Sequence, residues 1–449
     1  MDRREFLQAF ATVAAMPAAT AFAAAPSKSA DYTIRIAPAS FEVAHGRVIK
    51  TSGYNGSVPG PLIRLKQGVA ATFDLINETS SPEFVHWHGL ATSVIVDGAE
   101  EEGSPVLAPG DRRRITFTPS HAGTRWYHTH TMAMADLSKG GYSGQYGFLY
   151  VEPKNDPGRY DAEVFLAGRH WEPAIMHRGD PNNDWTVTYG IYSLGERALG
   201  HGEPIRVKQG QRVLFHLLNA SATRQVSLAL PGHKFEVIAL DGNPVPTRHA
   251  VDILQLAVAE RADVIVEMNQ PGVWVLGATR DEDRMSGMGV VIEYAGQSGD
   301  PQWRPAPAAT WDYSLFTMPS AAAAPAADGR FELEFHMLPD DGKPFNRWTV
   351  NGKVFPHTDP IRVKRGKRYR LVLRNGHEDG HPIHLHRHLF EVVKIGDKPV
   401  AGLMKDTINV PRDTAIEVDF VADNPGPSLL HCHMQQHMDY GFKTLIEYA

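Results

Sequence analysis

One cysteine, Cys432, stands in 449 residues. No disulfide can close within such a chain, and the cysteine count alone leaves the compartment open. An excess of basic charge is missing too: 45 Lys and Arg against 51 Asp and Glu give a net charge of −6, so nothing points to a nucleic-acid partner. The Ala-rich apolar stretch near the N-terminus is short, weakly apolar and broken by Pro17, which argues against a membrane anchor. Helix signals are few and short. Turn formers are abundant, with 40 Gly and 32 Pro, as expected of many short strands and a β-rich fold. The balance of 42% apolar and 21% charged residues is that of a soluble globular protein, and the length suits two to four domains.

The first residues read MDRREFLQAFATVAAMPAATAFAAAP. Arg3 and Arg4, then Phe6 and Leu7, then an Ala-rich stretch ending in small residues, form a secretory signal of the twin-arginine kind over 1–25. The expected partner is the twin-arginine export machinery and the expected location is the periplasm or the cell exterior. That route carries folded proteins, which suits a chain that acquires a cofactor while folding.

Three segments repeat: IRLKQGVAATFDLIN at 63–77, IRVKQGQRVLFHLLN at 205–219 and IRVKRGKRYRLVLRN at 361–375. Each holds a short strand, a Gly-centred turn and an alternating strand ending in Asn. Their wide spacing makes the repeat a whole domain rather than a solenoid unit. Three tandem β-sandwich domains follow, at 31–153, 154–297 and 330–449, with an extended Ala/Pro-rich linker at 298–329.

His-x-His occurs at 86/88, 128/130, 384/386, 386/388 and 431/433. Chance placement of the histidines would give about one such pair. In a strand, residues two apart share a face about 6.5 Å apart, so each pair aims two imidazoles at one region. In HCH, His431 and His433 share one face and Cys432 takes the other. In HPIHLH at 381–386, His384 and His386 share a face, while His381 lies an odd number of positions away and can turn toward Cys432. His437 reaches the same side around a turn. Cys432, His381 and His437 make the His₂Cys donor set of a blue-copper centre. The opposite face collects His384, His386, His431 and His433; with His86, His88, His128 and His130 this gives eight imidazoles, enough for three ions.

A lone buried cysteine is usually a small hydrophobe, and zinc also binds Cys and His. The four motifs together exclude the first reading, and a thiolate with two imidazoles and an open axial direction fits copper better than zinc. His388 is read as structural, because HLFEV at 388–392 mirrors HKFEV at 233–237 in the second repeat, which has no His-x-His pair.

With these motifs in place the chain resembles the three-domain multicopper oxidases of the laccase-like group. HWHG at 86–89, HTH at 128–130, HPIHLH at 381–386 and HCHMQQHMDYGF at 431–442 carry the resemblance, together with GTRWYHTH and the DG…SP…APG segment. It covers the whole mature chain. It implies all-β architecture with three cupredoxin-like Greek-key domains and four coppers. Type 1 copper would take His381, Cys432 and His437; type 2, His86 and His384; the type 3 pair, His88, His128, His130, His386, His431 and His433. Three positions depart from the commoner pattern. Arg387 stands where Gly usually follows HLH, Met438 where many bacterial members have a proton-delivering Glu, and Phe442 at the axial position, often Met. None removes a ligand.

The resemblance further implies that a reductant gives single electrons to type 1 copper, that these cross through Cys432 to His431 and His433, and that O₂ is reduced to water between the first and third domains. Asp97, in VDG, matches the family acid near the cluster or forms a plain Asp-Gly turn; the sequence leaves both readings open. The reductant is expected to be a small organic molecule such as a phenol. The alternatives are a metal oxidase of Cu(I), Fe(II) or Mn(II), and a non-enzymatic structural or cell-division homologue, which the full ligand set opposes. The 13 Met residues are dispersed rather than clustered; MSGMG at 285–289 is expected in an ordinary strand approach, and Met132 and Met134 in packing.

Overall fold

The computed structural model describes residues 29–154, 159–177, 185–319, 325–339 and 345–449. The leader expected at 1–25 lies outside them. The described chain is nearly all β, in six sheets that pair into three sandwiches, here called units. The first unit combines a sheet ordered Arg47–Tyr54, Tyr32–Ala44, Ala71–Asn77, Arg112–Phe117 with one ordered Gly60–Lys66, Tyr146–Glu152, Gly123–Thr129, Val85–His88. The second and third repeat this plan with a six- and a five-stranded sheet, then a seven- and a five-stranded sheet.

The sequence repeat has a physical cause at both ends. Its central glycines, Gly68, Gly210 and Gly366, have φ of 78°, 80° and 78°, a left-handed turn that glycine adopts without a Cβ penalty. Its final asparagines are fully or nearly buried, and each Nδ2 donates to two backbone carbonyls. Asn77 meets Ser81 and Leu107 (both 2.8 Å), Asn219 meets Arg224 (2.8 Å) and Leu256 (2.9 Å), and Asn375 meets Asp379 (2.8 Å) and Val410 (2.9 Å). Buried carbonyls left by the loop are thereby satisfied. In each unit the first repeat strand pairs in parallel with the unit's last strand, and the second lies in the other sheet.

Apolar side chains from the inward faces fill the sandwiches, and one cluster runs continuously through the second and third units. The segment 298–329, expected as an extended linker, is irregular over most of its described part. Its described part holds a 3₁₀ turn at Tyr313–Phe316 whose Tyr313 and Phe316 are buried in that cluster, because aromatic side chains in an Ala/Pro-rich stretch still gain by burial. MSGMG leads into the Gly289–Tyr294 strand, as expected; Met285 closes a short helix, Asp281–Met285, and is exposed, whereas Met288 is buried.

Candidate metal centre

Cys432 ends the Ser428–Cys432 strand and is completely buried. Its Sγ lies 3.5 Å from His437 Nδ1 and 3.9 Å from His381 Nδ1. His381 opens the neighbouring His381–Leu385 strand, and His437 comes from the short helix Gln435–Asp439. The register Ile383↔Cys432 and His384↔His431 turns Cys432 and the histidines beside it to opposite faces. Burial pushes the Cys432 thiol well above its ordinary range, so a thiolate here needs a cation beside it. Aromatic rings enclose the three donors. Trp348 lies 3.8 Å from the His437 ring, and Phe442 4.9 Å from His381 and 4.8 Å from Phe335. A cavity of about 450 Å³ reaches His437 from outside, lined among others by Arg224, Asp283, Asp379, Met434 and Gln436.

The eight remaining motif histidines meet between the first and third units. His86 pairs with His128 across one strand pair, and His384 with His431 across the other. The His86 ring stacks 4.0 Å from His386, and His88 3.7 Å from His384. Each of six rings has one nitrogen turned outward to a protein acceptor. Nδ1 of His86 meets Asp97 O (2.9 Å), of His384 Asp406 O (2.8 Å), of His128 Thr129 O (2.8 Å), of His431 Cys432 O (2.9 Å) and of His386 Asp97 Oδ2 (2.9 Å). His88 reverses the pattern and turns Nε2 to Asp406 Oδ1 at 3.0 Å. An acceptor on one nitrogen fixes the tautomer and leaves the lone pair on the other. Among the remaining ring nitrogens of the eight, Nε2 of His86, His128, His384 and His433, Nδ1 of His88 and both of His130 are buried without a hydrogen-bond partner, and His386 Nε2 lies 3.1 Å from His431 Nε2. Burial pushes seven of these rings well below the ordinary imidazole range, which keeps them neutral. So many unpaired buried nitrogens facing one another would be costly; metal ions that accept imidazole, copper among them, resolve the cost. The donor sets His130–His386–His431, His86–His88–His128 and His381–Cys432–His437 each lie within 4.8 Å of one another.

Asp97 ends the Val94–Asp97 turn, with Gly98 left-handed at φ 88°. Turn and contact coincide: the carboxylate is buried, accepts from Thr92 Oγ1 at 2.9 Å, and lies 2.9 Å from His386 Nδ1 and 3.2 Å from His86 Nδ1. Other carboxylates at the cluster escaped the sequence reading. Glu102 lies 3.4 Å from His386 Nδ1, and burial, then the Asp97 charge, push its carboxyl well up. Glu101 lies 3.8 Å from His130 Nδ1 and is paired with Lys443 at 2.5 Å. Asp406 takes a bidentate clamp from Arg261 at 2.7 and 2.6 Å. Burial raises the Asp406 carboxyl, but the Arg261 guanidinium outweighs it and holds the group well below the usual carboxylate range. The one signal available was charge inside apolar strands, as in LMKDTINV, where Lys405 and Asp406 are fully buried.

The departures from the family pattern have physical positions. Arg387 is buried with φ 61°, a left-handed conformation that explains why glycine is usual there. Its guanidinium donates to the carbonyls of Thr92 (3.0 Å), Pro425 (2.7 Å) and Pro427 (2.7 Å) and to Ser428 Oγ (3.1 Å). Met438 is buried and lines a cavity beside the cluster histidines. His388 hydrogen-bonds Tyr448 Oη at 2.8 Å and His386 O at 3.1 Å, as His233 bonds Tyr294 Oη at 2.5 Å and Pro231 O at 2.9 Å in the second unit. Met132 and Met134, expected in packing, are instead 40% and 42% exposed. They sit on the loop after the Gly123–Thr129 strand, and Lys443 Nζ reaches Met132 Sδ at 3.4 Å.

Three family models, each described as multicopper oxidase, match residues 35–156, 124–294 and 330–448. The chain is 30% identical to the multicopper oxidase MmcO of Mycobacterium tuberculosis, over 97% of this chain and 90% of that one. It is 26% identical to laccase-2 of Fomitopsis schrenkii, over 90% and 88%. Among solved structures, a multi-copper oxidase from Pseudomonas thermotolerans superposes with a TM-score of 0.72 at 25% identity, covering 94% of this chain and all of that one.

Proposed function

The chain belongs to the multicopper oxidase family and is a copper-dependent oxidoreductase with O₂ as electron acceptor, and on that premise we propose a place for each copper and a class of reductant. When bound, the coppers take electrons singly from the reductant and deliver them to O₂, which becomes water. His381, Cys432 and His437 would hold a type 1 ion, His86 and His384 a type 2 ion, and His88, His128, His130, His386, His431 and His433 a type 3 pair, four ions in all. The observation that carries this reading is the set of buried, unpartnered ring nitrogens turned toward one another, one peptide bond away from the Cys432 set.

The chain's own groups then divide the work. Cys432 is covalently continuous with His431 and His433, and its carbonyl accepts from His431 Nδ1 at 2.9 Å, a second link between the two centres. Asp97 orients His86 and His386. Phe442 packs 4.9 Å from the His381 ring and would shield the thiolate site from water on that side. The three units are cupredoxin-like domains at 31–153, 154–297 and 330–449, and residues 1–25 with Arg3 and Arg4 direct export by the twin-arginine route to the periplasm or beyond. Among the described residues no helix is long and apolar enough to cross a membrane.

The reductant is a phenol-like organic molecule. The cavity over His437 is large enough for one ring. A second reading, oxidation of Cu(I) or Fe(II), is favoured by the carboxylates of Asp283 and Asp379 on the cavity wall, since such ions need anionic ligands or soft donors. Reconstituted protein should carry four coppers and an intense blue thiolate-to-copper band; one copper, or zinc, sinks the assignment. Oxygen uptake with a panel of phenols against Cu(I) and Fe(II) decides the reductant. Arg3→Lys with Arg4→Lys should strand the precursor in the cytoplasm, and normal export of that variant would rule the route out.

A further inference from the structure

The strand pairs that carry the histidines have one register in the first and third units: His86 opposite His128, and His384 opposite His431. Three residues before His384 stands His381, and one after His431 stands Cys432. The same offsets from His86 and His128 reach Glu83 and Thr129. The place that holds imidazole and thiol in the third unit therefore holds carboxyl and hydroxyl in the first. The pair is in contact, Thr129 Oγ1 donating to Glu83 Oε2 at 3.3 Å. Thr131 Oγ1 donates to the same oxygen at 3.2 Å, and Gln145 Nε2 to Oε1 at 3.1 Å. Glu83 is buried, and no cation among the described residues is paired with it at ion-pair distance.

On the far side of Thr129 and Gln145 lies a cavity of about 30 Å³, lined also by His128, His130, His431 and His433. A water needs about 10–15 Å³ of such space, so the cavity can pass a proton to the cluster face. Gln145 Oε1 is buried without a partner. Met438 lines the same cavity and has no proton to give. On the other side, Thr131 is only partly buried, which connects Glu83 to solvent.

We propose that Glu83 is the proton-relay residue for O₂ reduction, donating through the Thr129 hydroxyl into the histidine-lined cavity and being recharged from solvent through Thr131. This rests on the copper assignment above. Reduction of O₂ to two waters consumes four electrons from the reductant and four protons. For each proton delivered, the Thr129 hydroxyl rotates from Glu83 toward the cavity, gives up its hydrogen there and accepts the hydrogen of the protonated Glu83 carboxyl in its place, leaving a carboxylate to which Thr129 and Thr131 donate until solvent refills it. Burial holds the Glu83 carboxyl above its ordinary range, against the hydrogen bonds of Gln145, Thr131 and Thr129 and the charge of Lys139. Among the described residues the buried Tyr54 hydroxyl also faces it.

The test is Glu83→Gln, which keeps size and hydrogen bonding but removes the acid. Infrared spectra of the metal-free parent at neutral pH should show a buried carboxylic-acid C=O band that the variant lacks; a parent without that band overturns the relay. In the copper-loaded variant, metal content, the blue band and type 1 reduction should match the parent. Reoxidation of the reduced enzyme by O₂ should slow ~10-fold or more, the low end for loss of a positioned proton donor. An unchanged reoxidation rate overturns the proposal. Where Glu83→Gln fails to fold or to load copper, Thr129→Val decides on the same rate, slowed in support or unchanged against. A parent that binds no copper brings down the copper assignment and the relay with it, whereas a normal parent with a normal variant removes the relay alone.

Discussion

The second unit builds the same strand pair as its neighbours and puts nothing metal-binding on it. Ala229 stands opposite Gly277 where the first unit has His86 opposite His128 and the third His384 opposite His431. Ala278 follows Gly277 where Cys432 follows His431. The backbone frame is therefore neutral toward metal; side-chain choice at a few register positions makes a centre. The second unit contributes charge instead. Arg261 and Asp241 reach into the joint between the outer units, where Arg261 clamps Asp406, the carboxylate that holds His88, and Asp241 Oδ2 lies 2.9 Å from Lys405 Nζ.

The largest effect should come from the thiolate. Cys432→Ser should lose the blue band and cut turnover by ~10³-fold or more, as expected for removal of an essential group, with three coppers retained. Ala278→Ser, at the matching place in the second unit, should leave copper content and turnover unchanged. Metal analysis, the visible spectrum and oxygen uptake of the two variants check the contrast; loss of copper in Ala278→Ser would show that the second unit is not neutral.

Next in size is the clamp. Arg261→Met leaves the buried Asp406 with Arg125 at 3.5 Å as its remaining cation. Breaking one partner of a buried ion pair costs about 3–5 kcal/mol. The variant should melt markedly lower by calorimetry and lose cluster copper while keeping its blue band, because Cys432, His381 and His437 do not touch this network. A stable variant with four coppers would reduce the second unit to a spacer.

What could be read in the sequence is what repeats or alternates. The three strand pairs, the His-x-His pairs and the odd offset of His381 all follow from period-two geometry, and they gave the fold class and grouped the histidines. Glu83, Asp406 and Arg261 had no such signature. Arg261 and Asp406 are 145 residues apart, and His88 and Asp406 318, so only the assembled units bring them together. Arg387 shows the same limit within one turn. The preceding motif marks the position, but the acceptors that stabilise a long cation there come from the 424–428 loop and Thr92.

Arg387 also separates the units. The matching residue before His233 in the second unit is Gly232, with φ 75° against 61° for Arg387. Arg387→Gly should lose the guanidinium bonds but relieve the left-handed strain, while Arg387→Ala loses the bonds and keeps the strain. Ala should therefore be the less stable of the two by ~1 kcal/mol. Denaturant melts of both variants check the order, and an Ala variant as stable as Gly would mean that the backbone relaxes there.

The smallest effect, and the finest comparison, is at Phe442. Its ring lies 4.9 Å from His381 and 6.3 Å from His437 and closes the thiolate site together with Phe335 and Trp348. Phenylalanine has no lone pair to offer a metal. A thioether in its place would bond weakly and favour Cu(II), the state that demands more ligands, whereas a three-coordinate apolar site favours Cu(I) and a high potential. Met438 is the rival in sequence, yet it lines the cavity beside the cluster histidines and is not aimed at the thiolate. Phe442→Met should lower the type 1 potential by some tens of millivolts, keep all four coppers, and slow oxidation of the phenols hardest to oxidise more than that of the easiest. Redox titration of the blue band in parent and variant measures the shift directly. An unchanged or raised potential would show that the Phe442 side chain packs beside the copper without controlling its open face.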